Sequence, residues 1–220
     1  MRATPPFPIL AALLTLTLGP ASWMTNRAPL PDEVEARSGS LATTHEFDFR
    51  NDADAALTAW ALGRFERAGL QLPPLAIAFH NDKAPCNGRY GLYESGNPGQ
   101  IDICAFNRNR FLMFPKKTIL HELGHAWAHH ALADETRQRF LEFRGLDIWR
   151  NQSRPWDEQG TEHAAEIIAW ALMDQEILLT AIGNSDPAVL ARAYQLLTST
   201  RPPAWGRTPV NVVQLAAGAA

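Results

Sequence analysis

The chain has 220 residues and a mass of 24.4 kDa, a length that suits one domain with a substantial core. Apolar residues make up 46% and charged residues 20% of the chain, with a mean hydropathy of -0.20, which excludes fibrous, disordered and membrane-bundle proteins. Its 20 lysines and arginines against 23 aspartates and glutamates give a net charge of -3, so we expect no nucleic-acid partner and no attraction to anionic lipid.

The first 21 residues are typical of a secretory signal peptide. Arg2 supplies a positive charge, residues 9–18 form an apolar run too short to cross a bilayer as a helix, and small or turn-forming residues follow up to Ala21. We therefore expect cleavage near Ala21 and a secreted or cell-envelope protein, with no stable membrane insertion once the leader is removed. A buried terminal strand or helix is the alternative. Residues 22–44, rich in proline, serine, alanine and charge, predict a flexible linker.

The first half of the predicted domain, which covers residues 45–200, combines one helix with three strands. Asp52 is a candidate N-cap for a helix whose apolar residues recur at helical spacing up to Gly69. Residues 75–80 predict a strand, and two shorter strands, 89–93 and 101–104, flank a turn rich in glycine, asparagine and proline. These strands predict a small antiparallel or mixed sheet.

The two cysteines, Cys86 and Cys104, lie at the open end of the predicted hairpin. In an exported protein an even number of cysteines favours a disulfide, and only one pairing is possible here. Because the closed loop is short, the chain-entropy model gives a stabilisation of about 3 kcal/mol. Two free buried thiols are the alternative, above all if the chain is not exported.

Four further helices are predicted in the second half, which makes the fold class α+β with a small sheet packed on helices. They cover residues 115–132, 134–145, 161–182 and 187–198. Proline in a first turn, aspartate before the start and glycine after the end mark their boundaries. Residues 201–220 predict a C-terminal tail on the surface.

Within the helix 115–132, residues 121–125 have the sequence His-Glu-Leu-Gly-His, an HExxH motif. Residues four apart share a helix face, so the imidazoles of His121 and His125 can reach one zinc ion. Glu122 can then address the water that the zinc activates. The apolar flanks indicate a buried helix, where an unpaired carboxylate is costly and a metal supplies its partner. Two histidines that only pack in the core or lie on the surface are the alternative.

A catalytic zinc ion takes a third protein ligand and leaves one position open to water or substrate. The longer metzincin motif is excluded, because Ala128 and Ala131 stand where it requires glycine and histidine. His129 is also excluded as a ligand, since it lies two turns after His121, about 12 Å along the helix axis. The third ligand is therefore expected further along the chain.

Residues 160–166, Gly-Thr-Glu-His-Ala-Ala-Glu, open the next predicted helix. Together with the HExxH motif they give residues 101–172 a sequence that resembles the gluzincins, the thermolysin-like metallopeptidases. The resemblance implies a minimal zincin-like domain with zinc ligands His121, His125 and Glu162, and a catalytic base, Glu122. It also implies that Glu166 orients the first histidine, although the family more often has aspartate there.

The residues alone leave the third ligand open. Glu162 and Glu166 lie on one helix face, so one carboxylate could coordinate while the other accepts the spare imidazole N–H. Asp157 and Glu158 are nearby rivals, and a solvated acidic first turn is a further alternative. His163 points about 100° away from its neighbour around the helix and is not expected to be a ligand.

The resemblance implies a zinc metallopeptidase that hydrolyses peptide bonds of a peptide or protein substrate, and the signal-peptide pattern predicts that it is exported. It further implies that strand 101–104 forms the sheet edge beside the cleft, and Arg154 and Tyr194 are candidates for stabilising the oxyanion. Tryptophans 127, 149, 156 and 170 surround the motif helices, either as core residues or as cleft walls. Two other functions are open: an exported metal- or peptide-binding module without catalysis, and a zinc amidase acting on a non-peptide or cell-wall amide.

Overall fold

A computed structural model describes residues 44–104, 113–177, 179 and 181–204. The predicted signal peptide, all but the last residue of the predicted linker and all but the first four residues of the predicted tail lie outside these ranges. Among the residues that it describes, no helix is both long enough and apolar enough to span a membrane.

The described residues form an α+β fold with a four-stranded mixed sheet and five α-helices, which confirms the predicted fold class. The strands are β1 (Glu46–Asp48), β2 (Leu75–His80), β3 (Gly91–Glu94) and β4 (Gly99–Cys104). The helices are α1 (Asp52–Arg67), α2 (Met113–Ala131), α3 (Asp134–Arg144), α4 (Gly160–Leu172) and α5 (Pro187–Thr198). A single-turn 3-10 helix, Trp156–Glu158, precedes α4.

The strand order in the sheet is β1-β2-β4-β3. β1 and β4 both run parallel to β2, while β3 pairs antiparallel with β4 as the first arm of the predicted hairpin. The expectation that residues 101–104 form the sheet edge is wrong, because β2 occupies one side of β4 and β3 the other. The edge strand next to β4 is β3, and β1 forms the opposite edge. β1 was not predicted, since its three residues are too few to show an alternating pattern.

Alternation along the two central strands explains which face of the sheet is buried. Leu75, Ile77 and Phe79 of β2 point into the core together with Ile101 and Ile103 of β4, while the residues between them are partly exposed. The helices cover the apolar face, so the core lies between the sheet and α2 and continues into α4 and α5.

The predicted disulfide is confirmed, with Cys86 and Cys104 bonded and their Cα atoms 6.1 Å apart. Both cysteines are fully buried. The bond ties the segment before β3 to the last residue of β4, and so it holds the edge strand at its N-terminal end.

Helix boundaries follow the predictions at most ends, with two corrections. The N-cap of α1 is Asn51, not Asp52: the Asn51 side chain accepts hydrogen bonds from the backbone N–H groups of Ala53 (3.1 Å) and Asp54 (3.3 Å). The second correction is at α4, which ends at Leu172 rather than 182. There the Arg64 guanidinium donates to the Leu172 carbonyl over 2.7 Å, which satisfies a C-terminal carbonyl without another helical turn.

The crossing of α2 over α4 is unusually close because Gly124 has no side chain. A methyl group added at Gly124 would lie 3.1 Å from the Cα and 3.3 Å from the carbonyl oxygen of Ala165. The two backbones therefore touch, and the first turn of α4 lies against the middle of α2, where the HExxH motif is.

Candidate metal centre

Three side chains from two helices converge on one point. His121 and His125 project from α2, and their Nε2 atoms lie 3.0 Å apart. The Glu162 carboxylate of α4 brings its Oε2 atom to 3.2 Å from the first of these nitrogens and 3.1 Å from the second. Ligand atoms about 2.0 to 2.1 Å from one tetrahedral ion are spaced by about 3.3 Å, so the triangle has the right size for a metal ion. These three residues could therefore hold one.

The electrostatics of the centre also favour a cation. Burial by itself lowers the pKa of His121, but hydrogen bonds with Glu162 and Glu166 and the nearby charge of Glu122 outweigh it and raise this pKa to about 10. Burial would raise the pKa of Glu162, yet its bonds to His121 and His125 hold it far below the usual range. The Glu162 carboxylate thus stays ionised, and its negative charge attracts a cation to the point where the three side chains meet.

A second set of contacts orients the two imidazoles. Glu166 Oε1 lies 3.1 Å from His121 Nδ1, on the ring edge opposite Glu162, and Lys117 Nζ lies 2.8 Å from the other Glu166 oxygen. The Nδ1 atom of His125 is 3.2 Å from the Thr161 hydroxyl. Each histidine is therefore held from behind, so that Nε2 of both rings points at the shared position.

Glu122 lies beside this centre on the side of the edge strand. Its carboxylate packs so close to Gly91, the first residue of β3, that a methyl group there would come within 2.7 Å of Glu122 Cγ and 2.8 Å of Thr118 Cγ2. Only glycine leaves room at that position. Burial raises the pKa of Glu122, and the positive charges of His121, His125 and Arg89 act in the opposite direction.

The centre lies at the bottom of an open cleft of about 1210 Å³. One wall is β3, and the other comes from the start of α4 and the irregular segment before it. Trp156 stacks on His121 with ring centroids 6.1 Å apart and planes inclined by 19°. Trp149 also lines the cleft, whereas Trp127 and Trp170 are buried in the core, so both interpretations of the tryptophans hold, each for two residues.

The rival ligands lie elsewhere. Asp157 is exposed, and Glu158 is 3.2 Å from Arg154 Nε. The His163 ring is buried away from the centre, with Nε2 2.8 Å from the Asp157 carbonyl oxygen and Nδ1 accepting from Arg144. His129 lines the cleft next to Tyr93, beyond the three converging side chains.

Of the two candidates for the oxyanion, the structure removes one. Tyr194 is fully buried in the core under α5 and does not line the cleft, because the helical period that places it on the apolar face of α5 also turns it inward. Arg154 does line the cleft, where its guanidinium lies 3.3 Å from Asp147.

Sequence reasoning missed several residues that shape the centre. Thr161 adjoins the predicted ligand, and a hydroxyl there could have been recognised as an imidazole partner. Lys117 lies four residues before His121, which places it on the same helix face. For Gly91 no signal exists in the sequence, since its contact with Glu122 depends on how β3 meets α2.

Comparison of the chain with protein-family models, with curated proteins and with solved structures gave no match in any of the three.

Proposed function

We propose that this protein is an exported zinc metallopeptidase of the gluzincin type, which hydrolyses peptide bonds in the cleft beside β3. The observation that carries the proposal is the convergence of His121 Nε2, His125 Nε2 and Glu162 Oε2 within 3.2 Å of one another, next to the buried carboxylate of Glu122. Two imidazoles and one carboxylate are a donor set of catalytic zinc sites, which keep a fourth position open.

Zinc fits these residues better than Mg²⁺ or Ca²⁺, because two of the three donor atoms are imidazole nitrogens and hard cations prefer oxygen. When bound, zinc supplies Lewis acidity, which acidifies water and polarises a carbonyl oxygen. Among the described residues no fourth side chain joins the group. A structural zinc site closed by four protein ligands is therefore the poorer interpretation.

Glu122 is the residue we assign to proton transfer. A base must lose its proton near neutral pH, and burial raises the pKa of Glu122 toward that range while the adjacent imidazoles keep it ionisable. It takes a proton from the attacking water and returns it to the amine nitrogen of the leaving group. Contact with Gly91 holds its carboxylate in place, so that little rotamer freedom is lost in the reaction.

The edge strand supplies a binding mode for an extended substrate. Among the strands that the structure describes, β3 is paired on one side only, with β4, and all four of its residues line the cleft. An extended peptide can add to such an edge through main-chain hydrogen bonds. The cleft is open at the surface, which suits a polypeptide better than a small molecule enclosed on all sides.

Export is part of the proposal. The disulfide between Cys86 and Cys104 supports it, because such bonds persist in oxidising compartments. The predicted leader, residues 1–21, supports it from the sequence alone.

The test separates metal binding from proton transfer. Glu122→Gln keeps the shape of the side chain but removes the base, so we expect the variant to bind zinc normally and to lose about 10² to 10⁴ in kcat/KM. The mature protein and the variant, each loaded with zinc, are incubated with an unstructured protein, and new termini are identified by mass spectrometry. A chelated sample serves as the metal-free control.

Two outcomes would contradict the proposal. Undiminished cleavage by the Glu122→Gln variant would remove this residue from the mechanism. If the zinc-loaded wild type cleaves none of a varied set of peptides, the site belongs to a binding module or to an amidase with a non-peptide substrate.

A further inference from the structure

The cleft has the opposite charge to the whole chain. Its described walls carry five cationic side chains, Arg89, Lys117, Arg137, Arg150 and Arg154. Against them stand the three glutamates of the metal centre and Glu94. The net charge of the whole chain is -3, so cationic groups are concentrated where a substrate would bind.

Three of the five cations are engaged within the protein. Lys117 pairs with Glu166, Arg137 with Asp134, and Arg154 with both Asp147 and Glu158. Arg89 and Arg150 have no ion-pair partner in the part of the chain that the structure describes, and both are exposed. They are the cations that remain available to a ligand.

The two free arginines both line the cleft that β3 borders. Arg89 lines the cleft and comes two residues before Gly91, the first residue of β3. Arg150 belongs to the irregular segment before α4, which forms the opposite wall of the cleft. An extended peptide rises about 3.3 Å per residue, so one laid along β3 meets the two cations at different positions.

We propose that the cleft selects polypeptides with acidic side chains, whose carboxylates pair with Arg89 beside β3 and with Arg150 on the opposite wall. The inference rests on the proposed peptidase function and adds the substrate class to it. Glu94 is the one opposing carboxylate in the described walls outside the metal centre, and strand alternation turns its side chain to the other face of β3 from Tyr93. Arginine suits this role because its planar fork binds a carboxylate through two parallel hydrogen bonds.

The experiment measures binding apart from catalysis. Zinc-loaded Glu122→Gln protein is titrated into two fluorescent unstructured peptides that are identical except that aspartate and glutamate in one are asparagine and glutamine in the other. Fluorescence anisotropy should show tighter binding of the acidic peptide, and the difference should shrink as salt is raised. Arg89→Gln and Arg150→Gln should each lower the affinity for the acidic peptide by about two- to fivefold and leave the affinity for the amide peptide unchanged.

Arg139→Gln is the matched control, because Arg139 is an exposed arginine of α3 that does not line the cleft. It should change neither affinity. The inference would be overturned if the two peptides bound equally tightly or if neither bound. It would also be overturned if the Arg89 and Arg150 variants lost affinity for both peptides, or if Arg139→Gln weakened the acidic peptide's binding as much as they do.

A second arm keeps the two proposals distinguishable. Wild-type protein is assayed for cleavage of both peptides, and kcat/KM should favour the acidic one by the same ratio as binding. Cleavage without acidic preference removes only the substrate class proposed here. If the acidic peptide binds more tightly but neither peptide is cleaved, only the proposed peptidase activity is contradicted.

Discussion

Glu162 and Glu166 are one helical turn apart on α4, yet their carboxylates meet different atoms of the metal centre. Glu162 Oε2 lies near the Nε2 atoms of both histidines, where a metal ion would be. Glu166 reaches only the far edge of His121 and is tied to Lys117. In the proposed zinc site Glu162 supplies a ligand atom while Glu166 holds the His121 imidazole in place, so the two should respond differently to truncation.

Glu162→Ala should therefore largely abolish zinc binding, because it removes one of three ligands. Glu166→Ala should lower zinc affinity by about 10- to 100-fold, since only the orientation of His121 is lost. Affinities are measured by competition with a chromogenic chelator. Glu158→Ala, on the partly exposed rival carboxylate, is the control and should leave binding unchanged. Zinc binding that survives in Glu162→Ala but collapses in Glu158→Ala would reverse the assignment.

At the scale of elements, the metal centre depends on the spacing of α2 and α4. The three side chains that could hold a metal ion are split between these helices, and Gly124 against Ala165 sets how closely the helices approach. Glu162 precedes Ala165 by three residues, so it lies on the same face of α4 and moves with it. A change of a few tenths of an ångström at the crossing is transmitted to the carboxylate.

Gly124→Ala tests this coupling, with Gly63→Ala as the matched control. A methyl at Gly63 of α1 meets only the flexible Arg67 side chain, so the higher helix propensity of alanine should stabilise the protein by up to about 1 kcal/mol. At Gly124 the methyl presses on the Ala165 backbone, so the same substitution should gain less or destabilise, and zinc affinity should fall. Urea unfolding and zinc titration give both quantities. Equal stabilisation with unchanged zinc affinity in both variants would show that the crossing is not tight.

At the scale of the whole molecule, one core unites the sheet with α1, α2, α4 and α5, and Tyr194 is among its largest fully buried side chains. Burial raises the pKa of the Tyr194 hydroxyl above 10, although the hydroxyls of Thr200 and Thr198 act in the opposite direction. The pKa of this hydroxyl is therefore higher in the folded than in the unfolded chain. Stability should accordingly depend on pH in the alkaline range.

The sign of this dependence follows from proton linkage. Above pH 10 the unfolded state loses the tyrosine proton first, so the folded state binds more protons and the free energy of unfolding falls as pH rises, by at most about 1.4 kcal/mol per pH unit. Tyr194→Phe removes this contribution. Urea unfolding between pH 9 and 11 should therefore show the wild type losing stability faster than the variant.

Tyr194→Phe should also leave peptidase activity unchanged at neutral pH, because the residue does not line the cleft. Parallel pH curves for wild type and variant would contradict the burial argument. A large loss of activity in the well-folded variant would return Tyr194 to the list of candidates for the oxyanion.

Much of the fold could be predicted from local patterns. The strand Leu75–His80 and the helix Pro187–Thr198 lie where alternation, aspartate caps and proline place them. The predictions failed where a distant residue decides the outcome. At the end of α4 the Leu172 carbonyl accepts a hydrogen bond from Arg64, 108 residues earlier in the chain, and the short β1 has its parallel partner in β2.

For the candidate metal centre, too, the sequence determined one part and the tertiary structure another. That His121 and His125 share a face is determined by the sequence, since four residues make about one turn of any α-helix. The resemblance implied that Glu162 rather than Glu166 faces both imidazoles, but helical periodicity alone left the two open, and the crossing at Gly124 and Ala165 decides it. The position of Glu122 against Gly91 and the freedom of Arg89 and Arg150 were likewise decided by tertiary structure, because each depends on which distant segments meet at the cleft.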